Sequence, residues 1–224
     1  MFAAVVLAAG QSKRMGQNKL LMRFGVSTVL ETILATLSDC GLGDLVVVTG
    51  HERERIEPLL SEHTVRSIFN PDYATGEMLS SIQAGLHAMR DDCAAALIVL
   101  GDQPLLNASV VRRVLAAHQP GAVIIPTYYH RRGHPILLDR AVWPDVLARP
   151  AGNTLREIIN ARADQIRYVP VDTDAIIRDL DTPEDYRHAT ELENPTPKSA
   201  KGPKSDDCST STKSDCATAS RGSP

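Results

Sequence analysis

The sequence has only four cysteines, and their spacing matches neither a zinc site nor a disulfide framework. They are Cys40, Cys93, Cys208 and Cys216. Unpaired thiols in a reducing compartment are therefore expected. His130 and His134 are four residues apart, but the intervening Arg131, Arg132 and Gly133 indicate a turn rather than one face of a helix. A histidine metal site is not expected there.

The sequence also lacks a long apolar run and an excess of positive charge. No stretch approaches the roughly 18–20 apolar residues needed to cross a membrane. Residues 1–9 are apolar, but no positive charge precedes them, which argues against a secretory signal. The net charge is −3, and without residues 195–224 the chain has 19 basic and 24 acidic residues. We expect a soluble cytoplasmic protein with no membrane and no nucleic-acid partner.

Short apolar runs alternate with amphipathic segments as far as about residue 192. The runs predict strands at residues 3–7, 45–49, 65–69, 95–100, 122–126 and 166–171. Helical spacing of apolar residues predicts helices at 28–37, 52–60, 78–89, 109–118, 154–161 and 183–192. Continuous apolar runs are typical of parallel strands covered on both faces. The order predicts an α/β class, Rossmann-like, doubly wound, mostly parallel sheet.

The composition changes near residue 194. The following residues are mostly Ser, Thr, Lys, Pro, Gly and Ala, without periodic apolar positions. Such a segment cannot bury enough apolar surface to offset the entropy of ordering it. We predict one domain at residues 1–193 and a disordered low-complexity tail at 194–224, with a weak partner-binding arm as the alternative.

A glycine-containing basic loop follows the first predicted strand. Within ten residues it contains Gly10, Ser12, Arg14, Gly16 and Lys19. Glycine lets the backbone approach phosphate oxygens, and successive amides form anion-binding concavities. Neither the Walker A pattern nor the G-x-G-x-x-G dinucleotide pattern is present. The loop indicates a phosphate site, and a solvated basic turn is the structural alternative.

Two acidic loops follow other predicted strands or turns. Asp102 comes directly after the strand at 95–100, and Asp181 precedes a segment in which Thr182 and Pro183 resemble the start of a helix. A carboxylate beside a polyphosphate is what Mg²⁺ requires. Turn capping is the alternative role for Asp102. We expect Asp102 to lie beside the basic loop if the first and fourth strands are neighbours.

The ordered set of motifs resembles one known family. Residues 7–19 read L-A-A-G-x-S-x-R-M-G-x-x-K, and G-E-M-L-S-S, G-D-Q-P, R-G-H-P, G-N-T-L-R and D-T-P-E-D follow in order up to about residue 190. This is similar to the nucleotidyltransferases that attach a nucleotide to molybdopterin, within them to the molybdenum cofactor cytidylyltransferase family. Related guanylyltransferases usually carry glycine at the position of Ala9. Glu77 and Met78 depart from the commonest form of their motif.

The resemblance implies the nucleotide-diphospho-sugar transferase type of fold and a set of site residues. Nucleotide binding is implied for Leu7, Ala8, Ala9, Gly10, Ser12, Arg14, Lys19, Thr75, Gly76, Ser80, Ser81 and Asp102. Arg14, Lys19 and Asp102 are the implied catalytic residues, and Asp102 and Asp181 the implied Mg²⁺ ligands. Acceptor binding is implied for Arg132, Gly133, His134 and Pro135. His134 has a second interpretation, ordering the turn before a strand at 135–138.

The implied reaction is attack of the molybdopterin phosphate on the α-phosphorus of CTP, with release of pyrophosphate. A molybdenum hydroxylase would be the recipient of the product. Alternatives are a nucleotidyltransferase that uses another nucleotide or a sugar or polyol phosphate, and a non-catalytic chaperone that delivers the cofactor. A dinucleotide-binding oxidoreductase is disfavoured because its glycine pattern is absent.

Overall fold

A computed structural model describes residues 1–150 and 152–193, so the predicted tail lies outside the described residues. These described residues form ten strands: β1 Phe2–Ala8, β2 Arg23–Phe24, β3 Ser27–Thr28, β4 Asp44–Thr49, β5 Arg66–Phe69, β6 Ala95–Leu100, β7 Val123–Tyr128, β8 Arg131–Arg132, β9 Ile136–Asp139 and β10 Ile166–Pro170. Within the same part of the chain there are seven α-helices: α1 Val29–Ser38, α2 Arg53–Leu60, α3 Glu77–His87, α4 Ala108–Ala116, α5 Trp143–Leu147, α6 Leu155–Asn160 and α7 Pro183–Glu193.

Eight strands form one sheet in the order β10-β7-β9-β6-β1-β4-β5, with β8 paired to β7. All pairs along the path are parallel except the two made by β9, which lies antiparallel between β6 and β7. The predicted mostly parallel α/β sheet is confirmed. Because β9 is antiparallel to both β6 and β7, these two strands point in the same direction. Their carboxyl ends therefore lie at the same edge of the sheet as that of β1.

Helices cover both faces of the sheet, as the doubly wound prediction requires. One apolar cluster joins α1, α2, α4 and α7 to alternate residues of the central strands, among them Val6 and Leu97. The other joins α3, α5 and α6 to the intervening residues, among them Val5 and Ile98. The central strand β6 is buried at all six positions. Its continuous apolar run thus arises because both faces are covered.

The two outer strands are not covered on both faces, in contrast to the prediction for parallel strands. In β5, Arg66, Ser67 and Phe69 are exposed, and in β10 Arg167 and Tyr168 are exposed. These strands stand at the ends of the sheet, where helices leave part of the surface open. The sequence analysis also left out α5, because five residues are too few to show a helical period.

Capping residues fix several helix starts. Thr28 and Glu31 form a reciprocal capping box at α1, and Thr154 and Glu157 form another at α6. Each box satisfies two backbone donors that the first turn leaves free. Among the described residues, no helix combines the length and apolar character needed to cross a membrane.

Candidate active site

A cavity of about 570 Å³ opens at the carboxyl ends of β1 and β6. That size is within the range typical of small-molecule sites. Its lining contains Leu7, Ala9, Gly10, Gln11, Ser12, Lys13, Arg14, Lys19, Leu20, Tyr73, Glu77, Met78, Ser81, Leu100, Gly101, Asp102, Asp179 and Asp181. Most of the predicted nucleotide-binding loop therefore faces one cavity together with both predicted metal ligands. Ala8, by contrast, is fully buried in the core.

The basic loop folds back on itself through Ser12. This residue has a left-handed backbone with φ of 50°, and its hydroxyl accepts a hydrogen bond from the Lys19 amide at 3.2 Å. A short 3-10 turn, Lys13–Met15, ends at Gly16, whose φ of 69° favours glycine. Around Gly10 the backbone is open, with nothing within 4 Å of where a Cβ would stand. The loop can therefore present its backbone to a ligand at close range.

Asp102 reaches the basic loop because β1 and β6 are parallel neighbours. The amide of Gly101 donates to the carbonyl of Leu7 at 3.0 Å, and a Cβ on Gly101 would stand 2.5 Å from that oxygen. Glycine at position 101 is therefore required for the close approach of the two loops. The conditional prediction that Asp102 lies beside the basic loop is confirmed.

Four charged side chains form one network across the cavity. Lys19 Nζ lies 2.5 Å from Asp102 Oδ2 and 3.1 Å from Asp181 Oδ1. Arg14 donates to the other Asp181 oxygen at 2.8 Å. Arg14 is 70% exposed at its side chain, whereas Lys19 is 13% exposed. The two carboxylates thus converge on the ammonium group of Lys19. Arg14 and Lys19, which the sequence predicts to bind phosphates, are paired with the two aspartates in this structure.

The charge states follow from burial and pairing. Burial lowers the pKa of Lys19, but attraction and hydrogen bonds from Asp102 and then Asp181 outweigh it, so the Lys19 pKa is raised. Burial is also the largest influence on Asp102 and raises its pKa against the opposing charge of Lys19. Asp179 and Asp181 add to the rise. A further cation in the cavity would therefore stabilise the ionised form of Asp102.

The start of α3 and the two residues before it contribute fewer predicted residues to the cavity lining than expected. Ser81 lines the cavity, but the described lining does not include Thr75, Gly76 or Ser80. Gly76 is buried at the start of α3. Both serine hydroxyls accept hydrogen bonds from the buried amide of Asn70, at 2.9 Å for Ser80 and 3.0 Å for Ser81.

The predicted acceptor segment lies beside the cavity rather than in its lining. Arg132 donates to Asn160 at 2.7 Å, and its guanidinium stands over the ring of Tyr168. Gly133 packs so tightly against the carbonyl of Ile176 that a Cβ could not be accommodated. Pro135 is buried.

His134 lies close enough to Asp102 for the carboxylate charge to act on it. Burial lowers the pKa of His134 to about 4, and the nearby Asp102 charge partly opposes this shift. Its amide donates to the carbonyl of Ile176 at 2.9 Å. The imidazole is therefore neutral at pH 7, and its segment is tied to the chain that leads to Asp181.

Several cavity residues escaped the sequence analysis. Tyr73 and Asp179 line the cavity, and Gln103 lies buried beside it. Asp179 could have been noticed, because the alternation Asp179-Leu180-Asp181 around a buried leucine places two carboxylates on one side. Tyr73 carries no comparable pattern.

The donor set fits a hard divalent cation whose remaining coordination positions would be filled by water or substrate phosphates. The carboxylates of Asp102 and Asp181 already converge on one positive charge, that of Lys19. Within residues 1–150 and 152–193, no group of three or more His, Cys, Asp or Glu side chains is arranged to hold a metal. One or two carboxylates plus substrate phosphates is the arrangement that Mg²⁺ prefers.

Comparison with known proteins agrees with this geometry. Residues 4–166 match the MobA-like NTP transferase domain, which is well over half of the chain. The chain belongs to the MobA-like NTP transferase family. It is therefore a nucleotidyltransferase, as the sequence motifs implied.

The proteins that this chain resembles carry different names. The chain is 31% identical to the molybdenum cofactor cytidylyltransferase of Escherichia coli over 84% of this chain and 94% of that protein. It is 32% identical to the nicotine blue oxidoreductase of Paenarthrobacter nicotinovorans over 66% of this chain and 76% of that one. Rv0371c of Mycobacterium tuberculosis, solved in complex with manganese, shares the fold with a TM-score of 0.71 and 22% identity, covering 85% and 97% of the two chains.

Proposed function

We propose that this MobA-like nucleotidyltransferase transfers CMP from CTP to the phosphate of molybdopterin in a Mg²⁺-dependent reaction and releases pyrophosphate. The observation that carries the proposal is the convergence of Asp102 and Asp181 on Lys19, beside an open glycine loop. The likeness to a molybdenum cofactor cytidylyltransferase along most of both chains supports the choice of substrates. We place the reaction in the cytoplasm, with a molybdenum hydroxylase as recipient of the product.

On the nucleotide side, the loop at residues 7–19 holds the triphosphate. The backbone near Gly10 approaches the phosphates, and Arg14 and Lys19 exchange their carboxylate partners for phosphate oxygens. When bound, Mg²⁺ supplies charge neutralisation between Asp102, Asp181 and the phosphates. Ala9 lines this side of the cavity and is the position on which the assignment of cytidine rests.

The chemistry needs no general base. A phosphate monoester has a second pKa near ~6 and is already largely dianionic at neutral pH. The protein then contributes positioning of the two substrates and neutralisation of the charge that develops on the phosphates. Arg14 and Lys19 are suited to the second task, because both lie at the cavity with their charges directed to Asp181 and Asp102.

On the acceptor side, we propose that the attacking phosphate lies near Asp102. The remainder of the acceptor then extends along the sheet edge past His134 to Arg132. One strand, β9, lies between β6, which leads to Asp102, and β7, with which the strand of Arg132 pairs.

A substrate matrix tests the proposal. The protein is incubated with Mg²⁺ and CTP, GTP, UTP or ATP, each with molybdopterin, a sugar 1-phosphate or a polyol phosphate, and pyrophosphate release is measured. We expect release with CTP and molybdopterin at least about tenfold above every other pair, since a lost set of polar contacts costs at least that much. Release with a sugar phosphate but not with the pterin would contradict the assignment of the acceptor.

The oxidoreductase named among the relatives supplies the second candidate. It is tested in a parallel assay that follows the absorbance of a nicotinamide cofactor or a flavin in the presence of nicotine blue. We expect no turnover, because the basic loop lacks the dinucleotide glycine pattern. Redox turnover without pyrophosphate release would favour this candidate over nucleotidyl transfer.

A further inference from the structure

Gln103 is buried directly behind the acidic pair and bridges two loops. Its side chain is 1% exposed. The amide nitrogen donates to Asp179 Oδ1 at 2.8 Å and to the carbonyl of Ile176 at 3.3 Å. The amide oxygen has no hydrogen-bond partner among the described residues. A buried polar group with an unpaired oxygen is costly, so its two donated bonds offset that cost.

Those bonds join the chain segment that carries Asp181 to the loop that carries Asp102. A backbone bond from the Leu180 amide to the Asp102 carbonyl, at 3.0 Å, runs between the same two segments. Leu180 itself is 2% exposed and anchors the segment in the core. The two carboxylates are thus far apart in sequence but are fixed to each other through three hydrogen bonds close behind them.

We propose that Gln103 is a positioning residue that sets the separation of Asp102 and Asp181, and so the affinity of the site for a divalent cation. It acts through Asp179 and Ile176 and touches no substrate. Asp179 serves in this arrangement as a hydrogen-bond acceptor. The inference rests on the proposed function in one respect, that a cation is held between Asp102 and Asp181.

Other residue types would not perform this task. Glutamate at 103 would set a second acceptor against the Asp179 carboxylate and the Ile176 carbonyl. Methionine has a similar length but donates nothing, so it would release residues 176–181 from the Asp102 loop while keeping the volume filled. The amide is the group that supplies two donors without a charge.

Mn²⁺ binding to the intact protein, followed by electron paramagnetic resonance without nucleotide, tests the role directly. We expect Gln103→Met and Asp179→Ala each to weaken Mn²⁺ binding about tenfold, the usual effect of removing a partner of a metal ligand. The double variant should bind Mn²⁺ no more weakly than the single variants, because both changes break the same contact between Gln103 and Asp179. Asp179→Asn should bind within about twofold of the unaltered protein, since its amide oxygen still accepts the bond.

Gln83 provides the matched control. Its side-chain nitrogen likewise makes two hydrogen bonds, to the carbonyls of Val146 and Arg149, both at 2.9 Å, but it stands on α3 and joins that helix to α5 and the residues after it. Gln83→Met should lower the melting temperature as Gln103→Met does, while Mn²⁺ affinity stays unchanged. Asp179 is exposed, so its variants remain informative if Gln103→Met fails to fold.

Three results would overturn the inference. They are unaltered Mn²⁺ affinity in Gln103→Met or Asp179→Ala, additive losses in the double variant, and equal losses in Asp179→Asn and Asp179→Ala. Absence of Mn²⁺ binding to the unaltered protein would overturn it as well. If Mn²⁺ binding follows the expected pattern but CTP and molybdopterin yield no pyrophosphate, the proposed substrates are wrong and the role of Gln103 stands.

Discussion

Two stretches of the same sheet edge use their motif residues in different ways. At the ends of β1 and β6, Arg14, Lys19 and Asp102 all face one cavity. At β7 and β8, Arg132 is occupied by Asn160 and Tyr168 of the protein itself. The first stretch is a loop that turns back over the cavity, whereas Arg132 belongs to a strand paired with Thr127. Some residues of recognisable motifs thus line the cavity, whereas others bind neighbouring side chains of the protein.

The role assigned to the ends of β1 and β6 would be wrong if turnover did not need Asp102. We expect Asp102→Ala to reduce pyrophosphate release by about 10²–10³-fold, the usual cost of losing one preorganised electrostatic contact. The reason is that Lys19 loses one of its two carboxylate partners, and the proposed cation site loses one of its two carboxylates. Steady-state kinetics with CTP measures the effect, and circular dichroism checks that the fold is retained.

Asp172→Ala is the control for that variant, because Asp172 is fully exposed and, in the part of the chain that the structure describes, pairs only with Arg113 at 3.7 Å. Its turnover should match that of the unaltered protein. Cofactor delivery that survives the loss of Asp102 would instead favour a non-catalytic chaperone, whereas retained turnover would show that catalysis does not need Asp102.

The region near β7 and β8 can be tested through the pH dependence of stability, to which His134 contributes. Its folded pKa of about 4 lies below the ordinary value of 6.5, so the unfolded chain binds the extra proton between those values. Stability therefore falls as pH drops from about 6.5 to about 4, by at most about 3 kcal/mol for this group. Urea unfolding at several pH values between 7 and 4.5 measures this loss. The free energy of unfolding should change less steeply with pH in His134→Gln than in the unaltered protein.

The matched control is His188→Gln, since His188 is exposed on α7. That substitution should leave the slope unchanged. An identical slope in His134→Gln would mean that the imidazole is hydrated and available to a ligand rather than buried in the structure.

The smallest effect is expected at Arg132. If the acceptor extends along the sheet edge, Arg132→Ala removes a charged hydrogen-bond donor and raises the KM for molybdopterin about tenfold, with the KM for CTP changed less than about threefold. Arg131→Ala, at the neighbouring exposed strand position, is the control. A lower melting temperature with an unchanged KM for molybdopterin would assign Arg132 wholly to holding Asn160 and Tyr168.

Local patterns predicted much of this molecule because they report directly on burial. The continuous apolar run of β6 follows from its two covered faces, and the strand boundaries agree within a residue or two. The glycine-containing basic loop was recognisable because its residues are contiguous. Gln103 was not, since a glutamine after a strand gives no indication of burial until its partners are known.

The sequence by itself determined the α/β class, the placement of the basic loop and Asp102 at strand ends, and the family, because each depends on residues close together in the chain. Only the tertiary structure decided that β9 runs antiparallel between β6 and β7, that Lys19 joins Asp102 to Asp181, and that Gln103 ties their loops together. The contacts of Lys19 and Gln103 join residues 73 to 162 positions apart. No local period records such contacts, because strand order and loop packing are selected by the free energy of the whole core.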